Sequence, residues 1–157
     1  TVLCFPSPDR VRILRPGGVT AEMLSELCAV DIDPAVTSEP PKGAKVMSPG
    51  MKYKHYSPRA EVYIVNAHGD RFRDWCLAHS AEGTLALSAD SHEHGMFRCF
   101  GSNVQEQAHR LFALLREADE EGAAKVYVEM PSKDGIGLAV YNRLLRAAAF
   151  RVIETDE

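Results

Sequence analysis

The stretch 125-KVYVEMPSKDGIGLAVYNRLLRAAAFRVI-153 decides the fold, because it contains a strand, a helix and a second strand in close succession. Lys125–Met130 is a short apolar run typical of a buried strand, and Phe150–Ile153 is a similar, shorter run. Between them, the apolar residues from Gly137 to Ala149 recur with the spacing of a helix. Two strands joined by a helix in this way lie parallel in one sheet, so the stretch predicts a βαβ unit.

The same alternation of strands and helices extends upstream to residue 59. The further predicted elements are the strands Glu61–Val65, Thr84–Ser88 and Met96–Phe100 and the helices Asp70–Ser80 and 102–121. The connections between them are short, which favours one sheet covered by its own helices. We therefore predict an α/β fold for residues 59–157, a Rossmann-like parallel sheet with helices on both faces.

Both upstream helices are predicted to be amphipathic. The apolar stripe of the first consists of Phe72, Trp75, Cys76 and His79. The buried face of the second is predicted to consist of Val104, Ala108, Leu111, Phe112, Leu115 and Ala118. Ser102 or Asn103 opens this second helix, and Ser102 has the spacing of a capping box with Gln105.

Residues 1–30 predict a smaller unit. Strand candidates at Thr1–Phe5 and Val11–Arg15 are joined by the turn residues 6–9 into a β-hairpin. Because two strands alone are marginally stable in water, we interpret them as the remnant of a larger sheet, which makes this chain a fragment. The alternative is a hairpin that rests on the downstream domain. A short helix follows, with Thr20 as its N-cap and with Met23, Leu24 and Leu27 on one apolar face.

Residues 31–58 are predicted to be a linker. Four prolines and two glycines lie between Asp31 and Gly50, and the apolar residues there show no periodicity. Such a composition favours an extended connection over a packed element.

The composition is that of an acidic globular protein. The 157 residues are 45% hydrophobic and 25% charged with a net charge of −4, which disfavours disorder, a nucleic-acid coat and polybasic membrane binding. No apolar run approaches the roughly 18 residues of a membrane span, so no membrane partner is expected. The four cysteines form no Cys-x-x-Cys pair. This spacing disfavours a disulfide framework or a zinc site and predicts a cytoplasmic localisation.

The densest cluster of chemically active residues is 48-SPGMKYKHYSP-58. Its prolines hold the chain away from helix, its lysines can neutralise phosphate oxygens, and its tyrosines can stack on a base or donate a hydroxyl. His55 adds a donor that titrates near neutral pH. The segment is suited to close over an anionic ligand and exclude water. The alternative is a solvated linker whose tyrosines pack on the nearer domain.

This eleven-residue stretch resembles the interdomain linker of the long, two-domain threonylcarbamoyl-AMP synthases, also called L-threonylcarbamoyladenylate synthases. Thr1-Val2 followed by Ile13-Leu-Arg-Pro-Gly17 resembles the end of that family's catalytic domain. Gly137–Ala147, preceded by Asp134-Gly-Ile, resembles the signature helix of its C-terminal domain, and 100-FGSN-103 and Leu111–Asp119 also fit that domain. The resemblance implies three regions: the end of the catalytic domain (1–30), the interdomain linker and active-site lid (31–58), and the Rossmann-like C-terminal domain (59–157).

The resemblance also implies a function. Enzymes of this family are nucleotidyltransferases that make L-threonylcarbamoyladenylate from ATP, L-threonine and bicarbonate and release pyrophosphate. ATP is a substrate and is expected to carry Mg²⁺. The product passes to the machinery that transfers the threonylcarbamoyl group to tRNA.

The family's site residues are carried over by motif. Arg15 is expected to meet ATP, and Lys52, Tyr53, His55 and Tyr56 are expected to fold over the nucleotide. The lid backbone consists of Pro49, Gly50 and Met51. Thr1 is expected beside the bound threonine, although its interval to Arg15 is slightly longer than in the family. No catalytic residue is assigned, because the family's basic substrate pocket precedes Thr1, and this chain alone is expected to be inactive.

Two other functions stay open from the residues. The Rossmann-like domain could be an RNA- or protein-docking module without catalysis, with a weak RNA contact through the basic linker, or it could be a brace for the catalytic domain. Salt dependence separates RNA binding from a lid, because phosphate contacts weaken steeply with salt.

Four further groups of residues carry predictions of their own. Gly135 and Gly137, with Ser132 and Lys133 nearby, predict either an anion-binding helix start or, preferably, a tight turn. Asp90, His92 and His94 have spacing that could place metal ligands on one side of a strand, but a polar loop is preferred. Arg143 is expected to make a surface or interdomain contact. Finally, His68 and His109 are expected on the surface without partners, and Cys76 in the core.

Overall fold

The computed structural model describes residues 1–41, 58–90 and 94–155, which form two sheets. The smaller sheet has three strands, β1 (Val2–Ser7), β2 (Arg10–Arg15) and β3 (Ala29–Ile32), with β2 in the middle. Strand β1 is antiparallel to β2, whereas β3 is parallel to it. Helix α1 (Ala21–Ser25) connects β2 to β3, and a 3-10 turn (Pro34–Val36) follows β3.

The larger sheet has five strands, all parallel, in the order β6-β5-β7-β4-β8. Its elements are β4 (Glu61–Asn66), α2 (Gly69–His79), β5 (Thr84–Ser88), β6 (Phe97–Cys99), α3 (Val104–Glu120), β7 (Lys125–Glu129), α4 (Ile136–Ala147) and β8 (Val152–Glu154). The central strands are apolar because both of their faces are buried. The strand predicted at Thr84–Ser88 has its predicted bounds.

Helices cover both faces of the larger sheet. On one face, Ile64 of β4 packs in a core with Leu111 of α3 and Leu144 of α4. On the other face, the next residue of β4, Val65, packs with Phe72 and Cys76 of α2. Neighbouring strand residues point to opposite faces, so one strand serves two cores. The predicted α/β fold is confirmed.

The first residues of the predicted linker have regular structure. Asp31 and Ile32 belong to β3, and the Asp31 carboxylate pairs with Arg10 of β2 at 2.8 Å. Pro34 then begins the 3-10 turn, in which the Asp33 side chain accepts a hydrogen bond from the Ala35 N–H at 3.0 Å. Proline fits the first position of such a turn because the missing N–H is not needed there. Pro34, which the sequence interpretation assigned to an irregular linker, therefore begins a short 3-10 turn.

Two predicted details of the helices are wrong. The capping residue of α3 is Asn103, and it is Glu106, not Gln105, whose carboxylate reaches back to the Ser102 N–H. In α1, Thr20 is the N-cap as predicted, but the helix has only five residues and its expected apolar face is open. Met23 is 57% exposed and Leu27 is 84% exposed. A helix this short has no second turn with which to complete a buried stripe.

Across the three described ranges, none of the helices combines the length and the apolar character that crossing a bilayer requires.

Candidate functional site

The predicted substrate end of the small sheet places Thr1 and Arg15 close together. Arg15 is the last residue of β2 and pairs with Val2, the neighbour of Thr1. The Arg15 side chain is exposed. The Thr1 hydroxyl donates to the Val19 carbonyl at 2.6 Å and lies 3.1 Å from the Val19 N–H, from which it accepts. This end of the sheet therefore presents an exposed arginine next to the start of β1, where the Thr1 hydroxyl is held by the main chain.

Gly17 lies in the turn that brings Thr1 to Arg15. A β-carbon on Gly17 would lie 2.5 Å from the Thr1 nitrogen and 3.0 Å from its hydroxyl oxygen. Only glycine permits this approach, because real β-carbons essentially never come so close to a backbone atom. Glycine at position 17 thus lets the segment after Arg15 pack directly against Thr1.

The lid residues that are predicted to contact substrate lie outside the described residues. This holds for Lys52, Tyr53, His55 and Tyr56 and for the backbone positions Pro49, Gly50 and Met51. Their roles stay predictions.

A second polar site, which the sequence interpretation missed, lies at the carboxyl edge of the parallel sheet. Glu129 ends β7 and is only 5% exposed. One of its carboxylate oxygens accepts from the Gly69 N–H at 3.1 Å. The other accepts from the Ser88 hydroxyl at 3.1 Å and from the Ala89 N–H at 2.7 Å. These three donors offset the cost of burying the carboxylate.

His68 borders Glu129, whereas Asp90 has a different partner. The His68 Nδ1 lies 3.6 Å from a Glu129 oxygen, so the expectation that His68 has no partner is wrong. The Asp90 carboxylate lies 3.8 Å from the Arg73 guanidinium. His92 of the proposed metal set lies outside the described residues, and the described part of the chain holds no cluster of three metal-ligating side chains.

The position of Glu129 bears on ligand binding. Open α/β sheets hold their ligands beyond the carboxyl ends of the strands, and an anion there is bound by a helix N-terminus. Here the N–H of Gly69, the first residue of α2, already donates to the protein's own carboxylate. A ligand phosphate that used the Gly69 N–H would have to displace a buried carboxylate that already accepts three hydrogen bonds. This disfavours nucleotide or RNA binding at the edge.

The glycines before α4 form a tight turn, as preferred. A β-carbon on Gly137 would lie 2.5 Å from the Ser132 carbonyl oxygen. The Gly135 N–H donates to the Glu22 carboxylate at 3.2 Å, and the Lys133 ammonium lies 4.7 Å from the centre of the Tyr141 ring. The donors and the cation that an anion would use are therefore engaged by the protein itself.

Cys76 is in the core, as predicted, and we expect it to be the slowest thiol to react. Burial, and secondarily the charge of Glu129, raise the pKa of Cys76 to about 12. The reactive thiolate is therefore scarce at pH 8. Iodoacetamide on the native chain, followed by mass spectrometry, should label Cys4, Cys28 and Cys99 at least about tenfold faster than Cys76. Equal rates in urea are the control, and equal rates in the native chain would contradict the expectation.

Comparison with known proteins gives one consistent family. Residues 19–149 match the family described as threonylcarbamoyl-AMP synthase, C-terminal domain. The chain is 34% identical to the threonylcarbamoyl-AMP synthase of Pyrococcus abyssi, over 90% of this chain and 43% of that protein. It is 30% identical to the threonylcarbamoyl-AMP synthase of Bacillus subtilis, over 90% of this chain and 42% of that protein.

Solved structures agree with these relatives. The crystal structure of P. abyssi Sua5 complexed with L-threonine superimposes with a TM-score of 0.77 at 32% identity, covering 97% of this chain and 45% of that one. The H234A/Y235A variant of P. abyssi Sua5 superimposes with a TM-score of 0.72 at 29% identity, over 96% and 44% of the two chains. The chain spans less than half the length of these relatives. The resemblance found in the sequence is confirmed, and this chain belongs to the threonylcarbamoyl-AMP synthase family, whose C-terminal domain it contains.

Proposed function

We propose that this chain is the C-terminal part of an enzyme that makes L-threonylcarbamoyladenylate from ATP, L-threonine and bicarbonate, with release of pyrophosphate. The observation that carries the proposal is the match over 97% of the chain to a Sua5 structure that contains L-threonine. The adenylate would serve threonylcarbamoyladenosine formation in tRNA, through the machinery that transfers the threonylcarbamoyl group.

The chemistry needs little covalent help from the protein. The amine of threonine captures carbon dioxide as a carbamate, or captures bicarbonate with loss of water, and a carbamate oxygen then attacks the α-phosphorus of ATP as pyrophosphate leaves. Such a displacement is accelerated mainly by positioning and by neutralisation of phosphate charge. Arg15, exposed at the end of β2, would neutralise part of that charge. Thr1, held to Val19, would border the threonine.

The lid would supply the remaining contacts from this chain. Lys52 would neutralise phosphate oxygens, Tyr53 and Tyr56 would cover the nucleotide, and His55 would donate a hydrogen bond, with Pro49–Met51 shaping the backbone. Mg²⁺ would enter with ATP. The described residues contain no cluster of His, Cys, Asp and Glu that fits a metal ion, so none of them is assigned to it.

The first test is activity of the chain itself. The purified 157-residue chain should release no threonine- and bicarbonate-dependent pyrophosphate above background, because Arg15 and a lid cannot assemble a substrate pocket by themselves. The complete P. abyssi synthase is the positive control in the same assay. Release of pyrophosphate by the chain alone would overturn the assignment of the chemistry to residues outside it.

The second test addresses the lid. In the complete enzyme, Lys52→Ala and Tyr53→Ala should each lower kcat/KM by roughly a hundredfold, the lower end of the loss caused by removing one positioned transition-state donor. Their tRNA binding should be unchanged. Binding of tRNA that weakens with these substitutions and falls steeply between 50 and 200 mM salt, the range used to expose phosphate contacts, would favour the RNA-docking alternative.

A further inference from the structure

Helix α4 is buried on nearly all sides. Nine of its twelve residues are buried, far more than one face of a helix can supply. One side packs into the sheet core through residues such as Val140 and Leu144. A helix that is buried all round packs against a second body. For α4 that body is the N-terminal segment, residues 1–41.

Asn142 makes the best-defined contact between the two. Its Nδ2 donates to the Val36 carbonyl oxygen at 2.7 Å, and Asn142 is 7% exposed. The Val36 side chain is 0% exposed. A short bond between two buried partners is costly to lose, because the abandoned carbonyl would stay away from water.

Arg146 repeats this contact one turn along the helix. Its Nη2 donates to the Ala35 carbonyl at 2.7 Å, and its guanidinium lies 4.9 Å from the centre of the Phe150 ring. The two side chains thus bind consecutive carbonyl oxygens of the 3-10 turn. Both contacts are to main-chain atoms, so they depend on the backbone conformation of the turn and not on its side chains.

The N-terminal segment also faces the first half of the helix. At its start, the Gly135 N–H donates to the Glu22 carboxylate. In its middle, a cleft of about 180 Å³ separates Gly17 and Gly18 from Ala139 and Arg143. The turn that sets Thr1 beside Arg15 therefore faces the same helix as the 3-10 turn does.

The 3-10 turn is also bonded to the strand that carries Arg15. The Asp33 N–H donates to the Ile13 carbonyl at 3.0 Å. Strand β3, directly before the turn, pairs with β2 along four residue pairs. A continuous set of contacts therefore connects α4 to the turn and the turn to β2, the strand that ends at Arg15.

We propose that Asn142 and Arg146 are positioning residues, which hold the Pro34–Val36 turn and so fix the Arg15 end of β2 relative to the Rossmann-like domain. This inference rests on the proposed function, in which Arg15 meets ATP. It gives the C-terminal domain a defined task in the reaction through α4.

Hydrogen exchange on this chain tests the contact. Three amides report on the turn, since the Val36 N–H donates to Asp33 and the Thr37 and Ser38 N–H groups donate to Pro34. In Asn142→Ala and Arg146→Ala, exchange at these amides should rise by about tenfold or more. Exchange in β4 and β7 should stay within about twofold. Arg116→Ala, an exposed arginine on α3, is the matched control and should change neither. Unchanged exchange at the three amides would overturn the contact.

A variant outside α4 tests the turn without the risk that a substitution in α4 unfolds the helix. Asp33→Ala removes the side chain that caps the 3-10 turn while leaving α4 intact. It should raise exchange at the same three amides. If it and Asn142→Ala both leave them protected, the turn is held by something else and the proposal fails.

Kinetics of the complete enzyme test the positioning role. Asn142→Ala should raise the KM for ATP by about fivefold or more, and the KM for threonine by less than twofold, because the contact acts through the ATP-binding Arg15. In a double-mutant cycle, Asn142→Ala should add little to the loss caused by Arg15→Ala. Independent, additive losses would overturn the positioning role. If the complete wild-type enzyme makes no adenylate, the proposed function is wrong. The hydrogen-exchange test of the contact does not depend on that result.

Discussion

Glu129→Ala should lower the free energy of unfolding by roughly 2–4 kcal/mol, because one buried hydroxyl and two partly buried N–H groups lose their acceptor, at up to about 1–3 kcal/mol each before relaxation. Those donors are the Gly69 N–H, the Ser88 hydroxyl and the Ala89 N–H. Gly69 follows β4, and Ser88 and Ala89 lie at the end of β5. Their bonds to Glu129 therefore connect the carboxyl ends of β4, β5 and β7. Urea unfolding followed by circular dichroism measures the loss.

Two controls separate the hydrogen bonds from the change of side chain. Glu129→Gln keeps one acceptor oxygen and should cause an intermediate loss. Glu117→Ala removes an exposed carboxylate from α3 and should change stability by less than about 0.5 kcal/mol. A loss below about 1 kcal/mol for Glu129→Ala would show that water replaces the carboxylate and that the site is not tightly closed.

Gly101→Ala should destabilise the domain by roughly 2–5 kcal/mol, since backbone strain and overpacking each cost about 1–3 kcal/mol. The residue has φ +126°, which side chains rarely adopt. An added β-carbon would lie 2.7 Å from the Glu106 β-carbon and 2.8 Å from the Gln107 nitrogen, at the start of α3. The first turn of α3 would have to move.

The matched control for Gly101 is Gly122. It has φ +71°, but a β-carbon there would meet nothing within 4 Å. Gly122→Ala should therefore cost only the backbone strain, about 1 kcal/mol. Thermal unfolding of the two variants measures the difference. Equal losses would mean that the close packing of Gly101 is relieved without cost.

The larger sheet could be predicted because its signals are local. A run such as Thr84–Ser88 is apolar, short and bounded by turns, and all five of its residues are buried. The buried face of helix α3 could be predicted only in part. Leu111, Leu115 and Ala118 are buried as predicted, but Leu114 is also buried, because α3 packs against α4 as well as against the sheet.

The small sheet and the carboxyl edge depend on distant partners. Strand β3 has four residues and an aspartate, and only its pairing with β2 and the Arg10 ion pair make it a strand. Glu129 gave a weak signal, a single charge at the end of the run Val126–Val128, and its three donors come from other parts of the chain. The contact of Asn142 with Val36 spans 106 positions and could not be predicted from spacing.

The candidate site was predicted in part. The residues place Arg15 at a strand end, and the resemblance supplied its role toward ATP, which is still a proposal. The structure adds that Thr1, Gly17 and Val19 form one packed corner beside it. The roles of Lys52 and the other lid residues stay predictions.

The strand order has a consequence for synthesis on the ribosome. Strand β4 is made first, but its two neighbours, β7 and β8, are the last strands of the sheet to be made. At about 5–20 residues per second, the roughly sixty residues between β4 and β7 take several seconds to emerge. During that time both edges of an apolar strand are open to other chains. We therefore expect nascent chains of this domain to need protection from aggregation until translation is nearly complete.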